Sequence, residues 1–113
     1  MDTRVRILGV EYTVITDALE EDYPQLKKCD GFTDPSKKLI VVSKFERDEM
    51  SIGDLDWYSR KVLRHEILHA HLFESGLAEN SKDTWALNEE MIDYFANQLP
   101  KIYDVYEVLE CQK

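Results

Sequence analysis

His65-Glu66-Ile67-Leu68-His69 places two histidines four residues apart. On an α-helix that spacing stacks both imidazoles on one face, where their ring nitrogens can share one tetrahedral metal ion. Glu66 follows the first histidine and can lie beside the metal as general base towards a metal-bound water. The 3 histidines of the chain, His65, His69 and His71, all fall in this segment. His71 lies about 200° around the helix from His69, so it is expected to pack or to face solvent, not to bind metal. A metal reading therefore needs a helix to carry the motif, a third ligand from elsewhere, and a surface for substrate.

The flanking pattern supplies the helix. From about Asp54 to Ser75, apolar residues recur at helical spacing: Leu55, Tyr58, Val62 and Leu63, then Ile67, Leu68, Leu72 and Phe73. Asp54 or Ser51 can cap the start, and Gly76 suits the position just past the end. Upstream, Arg4 to Leu8 and Glu11 to Ile15 alternate with period two around Gly9, predicting a hairpin or a bulged strand pair with Tyr12 and Val14 on one face. Asp17 to Lys28 reads as a loop or a short irregular helix. Gly31-Phe32-Thr33, the turn residues Asp34-Pro35-Ser36-Lys37, and the β-prone run Leu39-Ile40-Val41-Val42 read as a second hairpin. The apolar run should be covered on both faces, or packed by one face on the motif helix, with Gly31 to Thr33 near the sheet edge.

Downstream, a second helix is expected from Thr84 to Leu99, capped by Asp83 or Ser81. A third should start at Pro100 and run from Lys101 to Leu109, because proline disrupts a helix interior. In the second helix Glu89 and Asp93 lie four apart and share a face. Two histidines and Glu89 would leave a fourth metal position open, as catalytic zinc sites require. Asp93 can accept the free ring N–H of His65 or His69 and so orient that ligand. Glu90 points about 100° away from Glu89 and fits less well. Leu87, Met91, Tyr94, Phe95 and Leu99 form a stripe expected to pack this helix on the sheet or the first helix. Trp57, Trp85 and the tyrosines are expected to fill core and interfaces.

Val62-Leu63-Arg64-His65-Glu66-Ile67-Leu68-His69-Ala70 followed by Glu89-Glu90-Met91-Ile92-Asp93-Tyr94-Phe95-Ala96 resembles the zincin metallopeptidases, and within them the small ImmA/IrrE-like and phage-type metallopeptidases. The likeness spans roughly residues 4 to 100 and includes the Gly31-Phe32-Thr33-Asp34 hairpin. The Asn-Glu-x-x-x-Asp arrangement is similar to that of gluzincins, which implies Glu89 as third zinc ligand and Asp93 as a brace for a histidine. The resemblance implies an α+β fold: a small zincin-like domain with N-terminal antiparallel β-hairpins, an active-site helix, and one or two further helices. It implies one Zn2+ per chain held by His65, His69 and Glu89, with Glu66 as catalytic base. An extended peptide would lie along Gly31, Phe32 and Thr33. The substrate would be a protein or peptide, such as a repressor. The chain departs from the group where relatives often carry asparagine in place of Asp93. It has no helix-turn-helix segment, no metzincin glycine and third histidine, and no deformylase-type cysteine ligand.

Composition frames these expectations. With 113 residues, the chain is expected to form one domain, 1–113. Its 43% hydrophobic and 33% charged content reads as globular. A net charge of −9 argues against a phosphate-bound nucleic-acid partner. Met1 to Val10 lacks the apolar region of a signal peptide, and no run is long enough for a membrane span, so a cytoplasmic location is expected. Cys29 and Cys111 match no metal spacing and are expected to be free thiols. Two other readings compete with a zinc endopeptidase: a catalytically silent zinc-binding interaction module and, behind it, a zinc amidohydrolase acting on a small molecule or a modified terminus.

Overall fold

The computed structural model describes residues 2–46 and 53–113 as a four-stranded mixed sheet followed by helices, a small α+β domain. Strands β1 (Asp2–Ile7) and β2 (Val10–Ala18) form an antiparallel hairpin. Leu8 (φ 49°) and Gly9 (φ 82°) make its two-residue turn, both in the left-handed region. That is the turn class whose twist matches a hairpin, and glycine at the second position lowers its cost. A short 3-10 turn at Pro24–Lys27 then leads to β3 (Gly31–Asp34) and β4 (Leu39–Ser43), a second antiparallel hairpin. The Asp34 carboxylate accepts from the backbone N–H groups of Ser36 at 3.0 Å and Lys37 at 3.3 Å, which holds the turn.

The hairpins join through a parallel pairing of β2 with β4, giving the strand order β1-β2-β4-β3. A register shift between Ile15 and Ala18, with Asp17 at φ 55°, interrupts the pairing before it resumes at Ala18 and Ser43. β4 is thus central and covered on both faces, while β3 forms an edge. Ile40 joins Ile7, Tyr12, Val14 and Ala70 on the helix side; Val41 joins Ala18 and Leu26 on the other. Ile40, Val41 and Val42 are all 0% exposed. At about 1.5–3 kcal/mol for each large aliphatic side chain buried, this run is a main anchor of the sheet.

Helix α1 (Leu55–Glu74) crosses the sheet. Its Asp54 cap accepts from the Trp57 N–H, and Gly76 (φ 84°) ends it; Ser51, the other candidate cap, lies outside the described residues. α2 (Leu77–Asn80) and a 3-10 segment (Lys82–Leu87) lead to α3 (Glu89–Val108). The helix expected from Thr84 therefore starts five residues later. Asp83 (φ 55°) and Thr84 (φ 54°) are left-handed and block an earlier start. Asn88 caps instead by accepting from the Met91 N–H at 2.8 Å, with Glu89 and Glu90 in the favoured first turn.

Two further expectations are corrected. Pro100 lies inside α3 and does not open a third helix. The packed residues of α3 are Ile92 and Ala96, whereas Tyr94, Phe95, Leu99 and Leu87 remain exposed, as do Trp57 and Trp85. α3 packs on α1 and buries Ile92 and Ala96, while most of its apolar and aromatic stripe stays exposed. Among the described residues no helix is long and apolar enough to cross a membrane, and Cys29 and Cys111 are free.

Candidate metal and active site

α1 and α3 run antiparallel across the site, so ascending positions on one meet descending positions on the other. Glu89, in the first turn of α3, reaches both histidines of α1: its Oε2 lies 2.8 Å from His65 Nε2 and its Oε1 3.0 Å from His69 Nε2. The two Nε2 atoms are 3.2 Å apart. One turn along α3, Asp93 Oδ1 lies 3.5 Å from His65 Nδ1, and its Oδ2 lies 3.4 Å from Lys61 Nζ. Of the two histidines open to Asp93, His65 is the one its carboxylate lies beside. Lys61 is the residue the sequence reading missed. It stands four before His65, as His65 stands four before His69, so the shared face was open to reading.

Two imidazole nitrogens and a carboxylate converge on one point, and these ligand atoms all lie within 4.8 Å of one another. Zinc bonds of about 2.0–2.1 Å at tetrahedral angles separate ligand atoms by about 3.3 Å, so small adjustments would fit the three to an ion. A carboxylate on the Nδ1 side of His65 favours the tautomer whose Nε2 lone pair faces that point. The group could hold a metal ion.

Glu66 is buried beside it, at 7% exposure, although charged side chains seldom are. Thr33 Oγ1 on β3 lies 2.9 Å from Glu66 Oε1. Burial is the main influence on the Glu66 carboxyl and raises its pKa; Thr33, His69 and His65 oppose the rise, and Glu89 adds to it. Gly31 allows this proximity. A Cβ there would lie 2.9 Å from the Val41 carbonyl oxygen and 2.9 Å from Val62 Cγ1, so any side chain would force β3 away from α1.

A cavity of about 710 Å³ runs along α1 from Tyr58 to Phe73, bordered by β3 and by Glu89 and Asp93. Gly31, Phe32 and Thr33 all border it. Gly31 and Thr33 face α1, whereas the Phe32 ring packs with Tyr23 at 6.2 Å in the cluster on the other sheet face. At one end the Tyr58 hydroxyl donates to Asp30, and this bond, together with burial, pushes the Tyr58 pKa up to about 12. Phe73 and Leu87 give the cavity apolar lining. His71 is exposed in the last turn of α1, away from this cavity.

No protein-family model matches this chain, and neither a curated protein nor a solved structure is detectably similar to it. The functional reading therefore rests on the chemistry of these residues.

Proposed function

We propose that this chain is a zinc-dependent metallopeptidase of the zincin type, cutting peptide bonds in a protein substrate. The observation that carries the reading is the meeting of His65, His69 and Glu89 on one point, with the buried Glu66 carboxylate beside them. Zinc at that point would polarise the scissile carbonyl and lower the pKa of an attacking water. Glu66 takes the proton of that water and passes it to the leaving amine. A carboxyl whose pKa is raised by burial holds a proton more readily than an ordinary glutamate, which suits this exchange. Thr33 holds Oε1 of Glu66, which leaves Oε2 to act as the base.

The edge strand supports a peptide substrate over a small molecule. The Ser43 N–H donates to the Asp30 carbonyl, so by the two-residue period the backbone groups of Phe32 also face β4. Those of Gly31 and Thr33 then face the open edge, where an extended chain can add as a further strand. A repressor is the substrate class that the sequence resemblance implies.

The test is digestion of a peptide library by zinc-loaded protein, read by mass spectrometry. Internal bonds should be cut, and Glu66→Gln should lose at least about a hundredfold in turnover while retaining its zinc. Equal cleavage by Glu66→Gln, or no cleavage by zinc-loaded wild type of either peptides or folded proteins, would contradict the proposal.

A further inference from the structure

Pro100 stands in the interior of α3 and has no backbone N–H. The carbonyl of Ala96, four residues earlier, therefore lacks its helical partner, and the proline ring crowds it outwards. Ala96 is 0% exposed, so water does not replace the missing donor. Arg64 does: its Nε donates to the Ala96 oxygen at 2.6 Å, across the α1–α3 interface. Arg64 immediately precedes His65, and Ala96 lies seven residues after Glu89, two turns on and close to the same face. The contacts His69–Glu89, His65–Asp93 and Arg64–Ala96 thus run in order along two antiparallel helices.

We infer that Arg64 is a positioning residue, and that the carbonyl freed by Pro100 is the docking point with which it sets the height of α3 against α1. This rests on the metal reading above. A helix advances about 1.5 Å per residue, so a slip of one residue along the interface would carry Glu89 out of reach of at least one histidine. In an ordinary helix interior each carbonyl already accepts from the N–H four residues on, so a neighbour can offer it only a second bond. The proline leaves the Ala96 carbonyl without its helical partner, and so marks one height on α3 for a strong donor. Arginine reaches it with a charged donor, which makes a stronger bond than a neutral one. The fixed height belongs to the interface and not to either helix alone.

The experiment combines Arg64→Met, which keeps the apolar stem and removes the donors, with Pro100→Ala, which restores an N–H to the Ala96 carbonyl. Zinc dissociation constants are measured by chelator competition at a temperature where every variant is folded. The visible absorption of the cobalt(II) forms is recorded beside them. Arg64→Met should weaken zinc binding about tenfold or more when Pro100 is present, the range seen for groups that orient metal ligands, and should alter the cobalt spectrum. With Pro100→Ala the same substitution should cost less than about threefold, because the carbonyl has its own partner. Arg64→Lys, which keeps a donor, should recover most of the loss; it also reports if Arg64→Met fails to fold. Equal losses in both backgrounds would overturn the inference, as would unchanged zinc affinity and cobalt spectrum in Arg64→Met. Wild-type protein that binds neither metal would instead overturn the metal reading, and this one with it.

Discussion

The Thr33 hydroxyl on the edge strand lies 2.9 Å from Oε1 of Glu66 and 2.9 Å from the backbone oxygen of the same residue. A hydroxyl has one proton, so it serves one of the two acceptors at a time. When Glu66 is ionised the carboxylate is the stronger acceptor, and Thr33 then fixes its orientation. Thr33→Val keeps the shape and removes the bond. It should destabilise the protein by roughly 1–3 kcal/mol, because a buried carboxyl loses its partner. Turnover should fall further than zinc binding, since the zinc ligands are untouched. Urea denaturation, peptide cleavage and zinc titration of the one variant check all three; a zinc loss equal to the turnover loss would place Thr33 elsewhere in the account.

Gly31 is defined by what it excludes. A methyl group at this position meets the Val41 carbonyl and Val62 Cγ1, each at 2.9 Å, and neither belongs to a long flexible side chain. Gly31→Ala should therefore cost about 1–3 kcal/mol, the usual range for overpacking. By moving β3 from α1 it should also lengthen the Thr33–Glu66 bond and slow cleavage. Thermal unfolding with matched kinetics tests this, and a variant as stable and active as wild type would contradict it.

At the far end of α1, Glu74 takes hydrogen bonds from Lys38 at 2.6 Å and from the buried Tyr12 hydroxyl at 2.7 Å. The Lys38 bond first, and the Tyr12 bond second, hold its pKa below the ordinary glutamate value. A group with a lowered folded pKa adds stability that is present above its unfolded pKa, about 4.3 for glutamate, and lost as pH falls through the lower folded value. Glu74→Gln should lower the melting temperature at neutral pH and flatten its decline in acid. Melting curves from pH 7 to pH 3 give the comparison; a wild-type acid limb unchanged in the variant would remove Glu74 from the explanation.

The motif helix was legible because its signals are local: apolar spacing, the Asp54 cap and the Gly76 terminator all lie within the segment they define. Both hairpins were legible for the same reason. The parallel pairing of β2 with β4 was not, because it joins segments with no turn between them to fix a register. The pattern extends the helix back to Thr84, although a better start, Asn88 followed by two glutamates, lies four residues on. Propensity alone does not reveal that Asp83 and Thr84 are left-handed. Pro100 marks a boundary only for a helix considered alone. Here a second helix provides the missing bond through Arg64. Glu89 and Asp93 could be selected from spacing and resemblance, but the His65 contact of Asp93 depends on how α3 sits against α1. The exposed Tyr94, Phe95 and Leu99 show the same limit: a stripe tells which residues share a face, not whether that face is covered.

The central claim is that His65, His69 and Glu89 form one metal site, and metal content tests it most directly. Untagged wild-type protein and Glu89→Ala are purified in parallel and analysed by elemental and native mass spectrometry. One zinc per chain in wild type, lost or sharply reduced in Glu89→Ala, is the predicted result. Wild-type protein that stays folded without metal and refuses added zinc would contradict the account.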